Sequence, residues 1–159
     1  MSELPVSASD LGGIELLRDL PVSELEPLAA VASRRSLADG AVLFEQGDPA
    51  ATLYVVLDGG LVLRAGAGGH SVIVETVDPG EVVGWGAMRA AATTLSTARA
   101  AGPTTVVAIP VEPLIALASG ESSRARELFQ RLIGLAATQL EASRQQLVRA
   151  GREGVITAG

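Results

Sequence analysis

The sequence predicts a mainly β domain with flanking helices, in which the strands form a jelly-roll-like β-roll (a double-stranded β-helix). Short apolar segments rich in β-branched and aromatic residues follow one another between about residues 35 and 109. Gly-Asp and Asp-Gly pairs such as Gly47-Asp48 and Asp58-Gly59 separate these segments, which is typical of successive hairpins. Helical patterns stand before and after this region but do not alternate with it, which excludes a Rossmann-type parallel sheet.

The composition is that of a soluble globular protein with one domain. The chain has 159 residues, of which 48% are hydrophobic and 19% are charged, and its net charge is −6. An acidic chain lacks the basic surface that nucleic acid binding requires. There is no cysteine, no signal-peptide pattern, and no apolar run near the roughly 18 residues that would cross a membrane. We therefore expect a cytoplasmic protein with neither a nucleic acid nor a membrane partner.

The N-terminal part is predicted to contain a flexible lead-in and two helices. Residues 1–10 are mostly polar and are expected to lack regular structure. A first helix is predicted over Leu11–Asp19. A second helix is predicted to begin with Ser23 as its N-cap, because Glu26 three residues later would complete a capping box, and Pro27 would then fall in the first turn.

The β-roll is predicted to span about residues 35–109 and to contain seven strands. One hairpin in it should turn through a flexible, glycine-rich tip at Ala65–Gly69. The predicted strands are Ala41–Glu45, Thr52–Leu57, Gly60–Ala65, Ser71–Thr76 and Thr104–Ile109, with weaker patterns at Glu81–Val83 and Ser96–Ala100.

Two helices are predicted after the β-roll, a short one over Val111–Ala118 and a long one from Glu121 to about Ala150, with residues 151–159 as a frayed tail. The long helix carries two apolar stripes. Leu128, Leu132 and Leu135 form one, and a seam of coiled-coil type forms the other: Phe129, Ile133, Ala136, Leu140, Ser143, Leu147 and Ala150. One stripe can cover the β-roll, and the other favours a homodimer through residues 121–150; the alternative is that both pack on their own domain.

The order and spacing of the turn glycines resemble the cyclic-nucleotide-binding domain family. The resemblance covers roughly Leu17 to Leu147 and is carried by Gly40, Gly47-Asp48, Leu53–Val56, Gly59, Pro79-Gly80, Gly84 and Arg99-Ala100. It implies a sensory β-roll domain like that of the cAMP receptor protein, occupying residues 11–150 here. It also implies a cyclic nucleotide such as cAMP as the ligand, with no other cofactor.

Members of this family hold the nucleotide with a short phosphate-binding cassette. The resemblance implies a short helix whose N–H groups face the cyclic phosphate, an arginine that neutralises it, and a glutamate that binds the ribose 2′-OH. Here Trp85 stands in place of the glutamate and Thr94 in place of the arginine, and the Gly84-Trp85 pair resembles a stand-alone subgroup of these domains. The implied ligand-binding residues are Gly84, Trp85, Gly86, Ala87, Thr94, Leu95 and Ser96, with Arg89 and Arg99 as alternative phosphate partners.

Two functions are compatible with these residues. The first is a regulatory domain with altered or lost nucleotide affinity, since losing both specific contacts weakens binding by about a hundredfold or more. The second is a ligand-free dimeric scaffold that docks a protein partner. A cupin-like enzyme or a metal site is disfavoured because His70 is the only histidine, and Glu45 and Glu75 are expected to face solvent. The nine residues after Ala150 are too few for a DNA-reading module.

Overall fold

The computed structural model describes residues 2–89 and 92–158. Its strands are β1 (Ser2–Pro5), β2 (Ser33–Leu37), β3 (Val42–Phe44), β4 (Thr52–Asp58), β5 (Leu61–Ala67), β6 (His70–Val77), β7 (Val82–Val83), β8 (Thr97–Ala100) and β9 (Thr104–Pro110). They form a five-stranded sheet in the order β1-β2-β9-β4-β7 and a four-stranded sheet in the order β3-β8-β5-β6. All the strand pairs are antiparallel. The predicted mainly β fold with flanking helices is confirmed.

In residues 2–89 and 92–158, four α-helices and two short 3-10 helices flank the sheets. The α-helices are α1 (Ala8–Gly12), α2 (Val22–Ala29), α3 (Val111–Ala118) and α4 (Ser123–Ala158), and the 3-10 helices span Glu15–Leu17 and Trp85–Met88. Helix α3 has the predicted bounds, and α4 continues eight residues beyond the predicted end at Ala150. Within the described part of the chain, no helix combines the length and the apolar character that crossing a bilayer requires.

The central strands β4 and β9 of the five-stranded sheet are buried on both faces, which explains the unbroken apolar run of β4. Leu53 and Val55 belong to the core that packs against the helices, whereas Tyr54 and Val56 face the core between the two sheets. This alternation follows from the two-residue period of a strand. Phe44 stacks on Tyr54 within the second core, with ring centroids 5.7 Å apart.

The N-terminal prediction is wrong in its details. Residues 1–10 were expected to lack regular structure, but β1 pairs with β2 at the sheet edge, and α1 begins at Ala8 rather than Leu11. Ser7 caps α1 by a capping box with Asp10. Neither β1 nor β2 has an apolar alternation. β1 is the exposed edge of the sheet, and β2 is paired on both sides by the backbones of β1 and β9 although most of its side chains are not buried.

Helix α2 does not begin at the predicted cap. Its N-cap is Pro21, which makes no side-chain capping bond, and the helix starts at Val22 instead of after Ser23. Pro21 has no side-chain acceptor, but its ring fixes φ at −59°, a value that is compatible with the start of a helix. Pro27 consequently lies in the second turn, where its missing N–H removes a hydrogen bond to the carbonyl of Ser23.

The glycine-rich hairpin is longer and tighter than predicted. Strands β5 and β6 pair up to Ala67 and His70, so the turn consists of Gly68 and Gly69 alone rather than of five residues. Both glycines have positive φ, as two-residue hairpin turns that match the strand twist require.

Helix α4 presents one of its two apolar stripes to the domain. Leu128 and Leu132 are buried and Leu135 is half-buried against the helix-side core. The other stripe is mostly exposed, with the side chains of Phe129, Ile133, Leu140 and Leu147 between 53% and 66% accessible, and Ala136 half-buried. The side chains of Ser143 and Ala150, also predicted in this seam, lie outside the described residues. We refer to Phe129, Ile133, Leu140 and Leu147 as the outer stripe.

Candidate functional site

The cassette segment forms a short helix at the position that the sequence predicts. Gly84 has a φ of +98°, and the 3-10 helix Trp85–Met88 follows it directly. A Cβ at Gly84 would lie 2.5 Å from the carbonyl oxygen of Thr52, so only glycine fits between β7 and β4 there. Ala90 and Ala91, which belong to the same segment, lie outside the described residues.

A small cavity brings together most of the predicted ligand-binding residues. Gly84, Trp85, Gly86, Thr94, Leu95 and Ser96 all line it, and we call it the cassette pocket. Phe44, Leu63, Glu75 and Val83 complete its walls. Ala87 does not line the pocket; it is buried in the helix-side core instead, because the short helix turns it inward. The pocket holds about 150 Å³, whereas small-molecule sites commonly hold about 300–1,000 Å³.

Thr94, which stands at the expected arginine position, is bonded to the turn after β3. Its hydroxyl donates to the carbonyl of Glu45, and its backbone N–H donates to the carbonyl of Asp48 at 2.8 Å. The N–H of Gly47 in turn donates to the Thr94 carbonyl at 2.8 Å. These bonds hold the end of the cassette against the roll without any charged group.

Neither arginine that could replace the missing one lines the cassette pocket. Arg89 is exposed and lines a separate cleft with Val31 and Pro110. Arg99 is exposed on the outer face of the four-stranded sheet, where its Nη1 donates to the carbonyl of Gly40 at 3.2 Å. The structure therefore does not bring either guanidinium to the cassette pocket.

A chain of side-chain hydrogen bonds connects the cassette, β6 and α4. Trp85 Nε1 donates to Gln139 Oε1, and Gln139 Nε2 donates to Glu75 Oε1 at 2.9 Å. Gln139 is only 8% exposed, one of two buried polar residues in the described part of the chain. We call these three side chains the polar clasp. Because α4 reaches the cassette through it, a movement of either element changes the contacts of the other.

Glu75 is the most perturbed acid at this site. Burial raises the pKa of its carboxyl above the ordinary value of 4.5, the hydrogen bond from Gln139 lowers the pKa, and the nearby charge of Glu81 raises it again. The expectation that Glu75 faces solvent is wrong, since it is half-buried in the pocket wall, whereas Glu45 is exposed as expected.

Sequence reasoning missed Glu75 and Gln139 as site residues, although one signal was available. The buried face of α4 proceeds through Ala125, Leu128, Leu132 and Leu135 in alternating steps of three and four, and Gln139 is the next position in that series. A polar residue on an apolar stripe needs a buried partner. The pattern does not predict which residue is that partner, because Glu75 is 64 residues away from Gln139 in the sequence.

The pocket chemistry suits a weakly polar or uncharged group better than an anion. Among the residues that the structure describes, Glu75 is the only ionisable one in the pocket wall, and its carboxylate has the same sign of charge as a phosphate. The remaining walls are apolar or offer hydroxyl and backbone groups. Among the described residues no group of three or more His, Cys, Asp or Glu side chains is arranged to hold a metal ion.

Comparisons with known proteins agree with this architecture. Residues 34–121, more than half of the chain, match the model of the cyclic nucleotide-binding domain. Over 105 residues the chain is 35% identical to acetyltransferase Pat of Mycolicibacterium smegmatis, covering 65% of this chain and 31% of that protein. The chain thus spans about a third of the length of this relative.

Two solved structures extend the likeness to the helices. A cAMP-binding acyltransferase from Mycobacterium smegmatis superposes with a TM-score of 0.71 at 26% identity, over 85% of this chain and 41% of that one. A protein from Geobacter metallireducens, described as a cyclic nucleotide-binding protein, gives a TM-score of 0.69 at 23% identity, over 85% of this chain and 98% of that one. With its glycine-bounded roll, its cassette helix and the family match across the roll, this chain belongs to the cyclic nucleotide-binding domain family.

Proposed function

We propose that this chain is a non-catalytic regulatory domain whose cassette pocket binds cyclic nucleotides weakly or not at all. The observation that carries the proposal is the charge in the pocket: Glu75 lines it, and neither Arg89 nor Arg99 does. A charge-assisted contact to a phosphate contributes about 1.5–3 kcal/mol, and here the facing charge is repulsive. The regulatory character of the family and the contact between cassette and α4 support a domain that works through its long helix.

The test compares the wild-type protein with a variant that restores the family residues. Melting temperature is measured with and without cAMP, cyclic GMP and cyclic dinucleotides. A ligand at about a hundred times its Kd stabilises by about 2.7 kcal/mol, which raises the melting temperature measurably. We expect no rise for the wild type and a rise with cAMP for the pair Trp85→Glu and Thr94→Arg.

A matched control keeps the glutamate at position 85 and places the arginine one residue before the position in the family pattern. In Trp85→Glu with Thr93→Arg, the arginine lies at an exposed neighbouring residue, and no response to cAMP is expected. A rise in the wild-type melting temperature with cAMP as large as that of the variant with the family residues would contradict the proposal, because the present pocket would then suffice for binding.

A dimeric scaffold on the same fold is the second candidate, and the outer stripe favours it. Four large apolar side chains on one helix face are exposed in the single chain, at the spacing of a coiled-coil seam. A second copy offers the same stripe, so the two helices could pair about a two-fold axis. Cytoplasmic location and a further protein partner remain predictions on either account.

The oligomeric state tests the scaffold proposal. By light scattering we expect the wild type to be a dimer and Ile133→Glu to be a monomer. The substitution would bury one unpaired carboxylate from each helix in the apolar interface, which is energetically costly. Val31→Glu, an exposed apolar residue outside α4, should leave the dimer intact. A monomeric wild type at high protein concentration would refute this part.

A further inference from the structure

A second cleft opens on the outer face of the four-stranded sheet, opposite the cassette pocket. It holds about 440 Å³, within the range of small-molecule sites. We call it the outer cleft, and its walls are Gln46, Arg64, Thr97, Arg99 and residues 66–71 of the hairpin turn. Leu63 and Ala98 on the same strands point into the core, and the alternation of strand side chains turns Arg64, Thr97 and Arg99 outward.

The register of β5 and β8 makes the two arginines neighbours. Val62 pairs with Arg99 and Arg64 pairs with Thr97, so the arginines form a diagonal pair on one face. Diagonal positions lie about 7–8 Å apart, close enough for both guanidinium groups to contact one small ligand.

These guanidinium groups have few partners in the protein. Arg64 Nη1 donates to Ser71 Oγ at 3.4 Å and Arg99 Nη1 to the carbonyl of Gly40 at 3.2 Å. Neither arginine forms a salt bridge within the described residues, and no carboxylate lines the cleft. Each guanidinium offers five N–H donors, so most of them are available to a ligand. In a chain of net charge −6, two adjacent unneutralised cations form a local site for an anion.

We propose that the outer cleft binds a phosphate group with at least two negative charges, either a phosphate monoester or a diphosphate. Two guanidinium groups match two negative charges, whereas a cyclic nucleotide phosphate carries only one. Two uncharged side chains also have free donors at this site. The Thr97 hydroxyl accepts a hydrogen bond from the backbone N–H of Gln46 at 2.9 Å, so its own proton is available to a ligand. The Gln46 side chain accepts from the Gly66 N–H at 3.2 Å through Oε1, so its NH₂ group is also available. The site is independent of the cassette pocket.

Calorimetric titration at low ionic strength tests the proposal, since salt screens exposed charges. The probes are inorganic pyrophosphate for a diphosphate and glycerol phosphate for a monoester, with cAMP as the monoanionic comparison. We expect Arg64→Gln and Arg99→Gln each to weaken the binding of the preferred probe about tenfold or more, and the double variant to abolish binding. Arg64→Lys, which keeps the charge but loses the planar fork, should lie between wild type and Arg64→Gln.

Arg89→Gln is the matched control, because it removes the same charge from a different cleft. Unchanged melting temperatures establish that the variants are folded, as expected for exposed side chains. Failure of both pyrophosphate and glycerol phosphate to bind the wild type at about 1 mM overturns the proposal. Equal weakening by Arg89→Gln, or unchanged binding by the double variant, overturns it as well, because the affinity would then come from overall charge or from another place.

Discussion

Replacing Gln139 by leucine is the most direct test of the polar clasp. Leucine has a similar size and preserves the apolar packing of α4, but it can neither accept from Trp85 nor donate to Glu75. The change thus removes both bonds between the long helix and the pocket wall while leaving the fold of each element intact. We expect a less stable protein in which α4 is held less firmly against the roll.

The magnitude follows from the two bonds that are lost. A neutral hydrogen bond contributes about 0.5–1.5 kcal/mol, and one to a charged group about 1.5–3 kcal/mol. Glu75 is only half-buried, so solvent partly replaces its bond and the lower end of the second range applies. Burial of the leucine side chain offsets part of the loss. The free energy of unfolding should fall by about 2 kcal/mol, which lowers the melting temperature by about 4–8 °C for a chain of this size.

Urea unfolding at neutral pH measures this loss, and the fluorescence of Trp85, the only tryptophan, reports the environment of the clasp. Gln145→Leu is the matched control, since it makes the same change at an exposed position of α4 and should alter stability by less than about 0.5 kcal/mol. The reasoning fails if Gln139→Leu unfolds at the wild-type urea concentration with unchanged Trp85 emission.

Three further changes probe the same region. Burial raises the pKa of Glu75 in the folded state, so the folded protein holds this proton more tightly than the unfolded chain does. The contribution of Glu75 to the free energy of unfolding therefore declines as the pH rises from below 4.5 through the folded-state pKa. The free energy of unfolding of Glu75→Gln, measured by urea titration at several pH values, should therefore rise relative to that of the wild type across this pH range. A difference between the two proteins that stays constant with pH would contradict this prediction. Gly84→Ala should cost about 2 kcal/mol or more in the same assay, because its φ and the Thr52 carbonyl both exclude a Cβ. Gly134→Ala, which meets open space within α4, should instead stabilise by about 0.5–1 kcal/mol, and a loss there would be unexpected.

The clearest apolar runs in the sequence belong to two central strands whose side chains are mostly buried. Thr52–Asp58 and Thr104–Pro110 are apolar along nearly their whole length because both faces of their sheet are covered. Ser33–Leu37 has no apolar run, because exposed and partly exposed positions alternate along it and two of them are Arg34 and Arg35. What determines its strand conformation is the neighbouring backbone of β9, which no local pattern reveals.

The candidate site was predictable in its backbone and not in its side-chain partners. Turn glycines mark where the chain must reverse, so Gly84 located the cassette correctly. The direction of Arg99 was not predictable, because one step in strand register moves a side chain to the opposite face of the sheet. Glu75 and Gln139 meet only when α4 lies across β6, a contact between distant parts of the chain.

The two faces of the four-stranded sheet differ in chemistry, and a single nucleotide site would need groups from both. Its inner face contributes Leu63 and the carboxylate of Glu75 to a small pocket, and its outer face carries the two guanidinium groups of Arg64 and Arg99. A phosphate is attracted to the outer face and repelled from the inner one, since a carboxylate and a phosphate have charges of the same sign. The cassette helix thus faces the small pocket, whereas Arg64 and Arg99 line a cleft on the other face of the sheet. The cassette helix and α4 are already joined without a phosphate in the pocket, because the Trp85 indole makes the contact with Gln139 of the long helix.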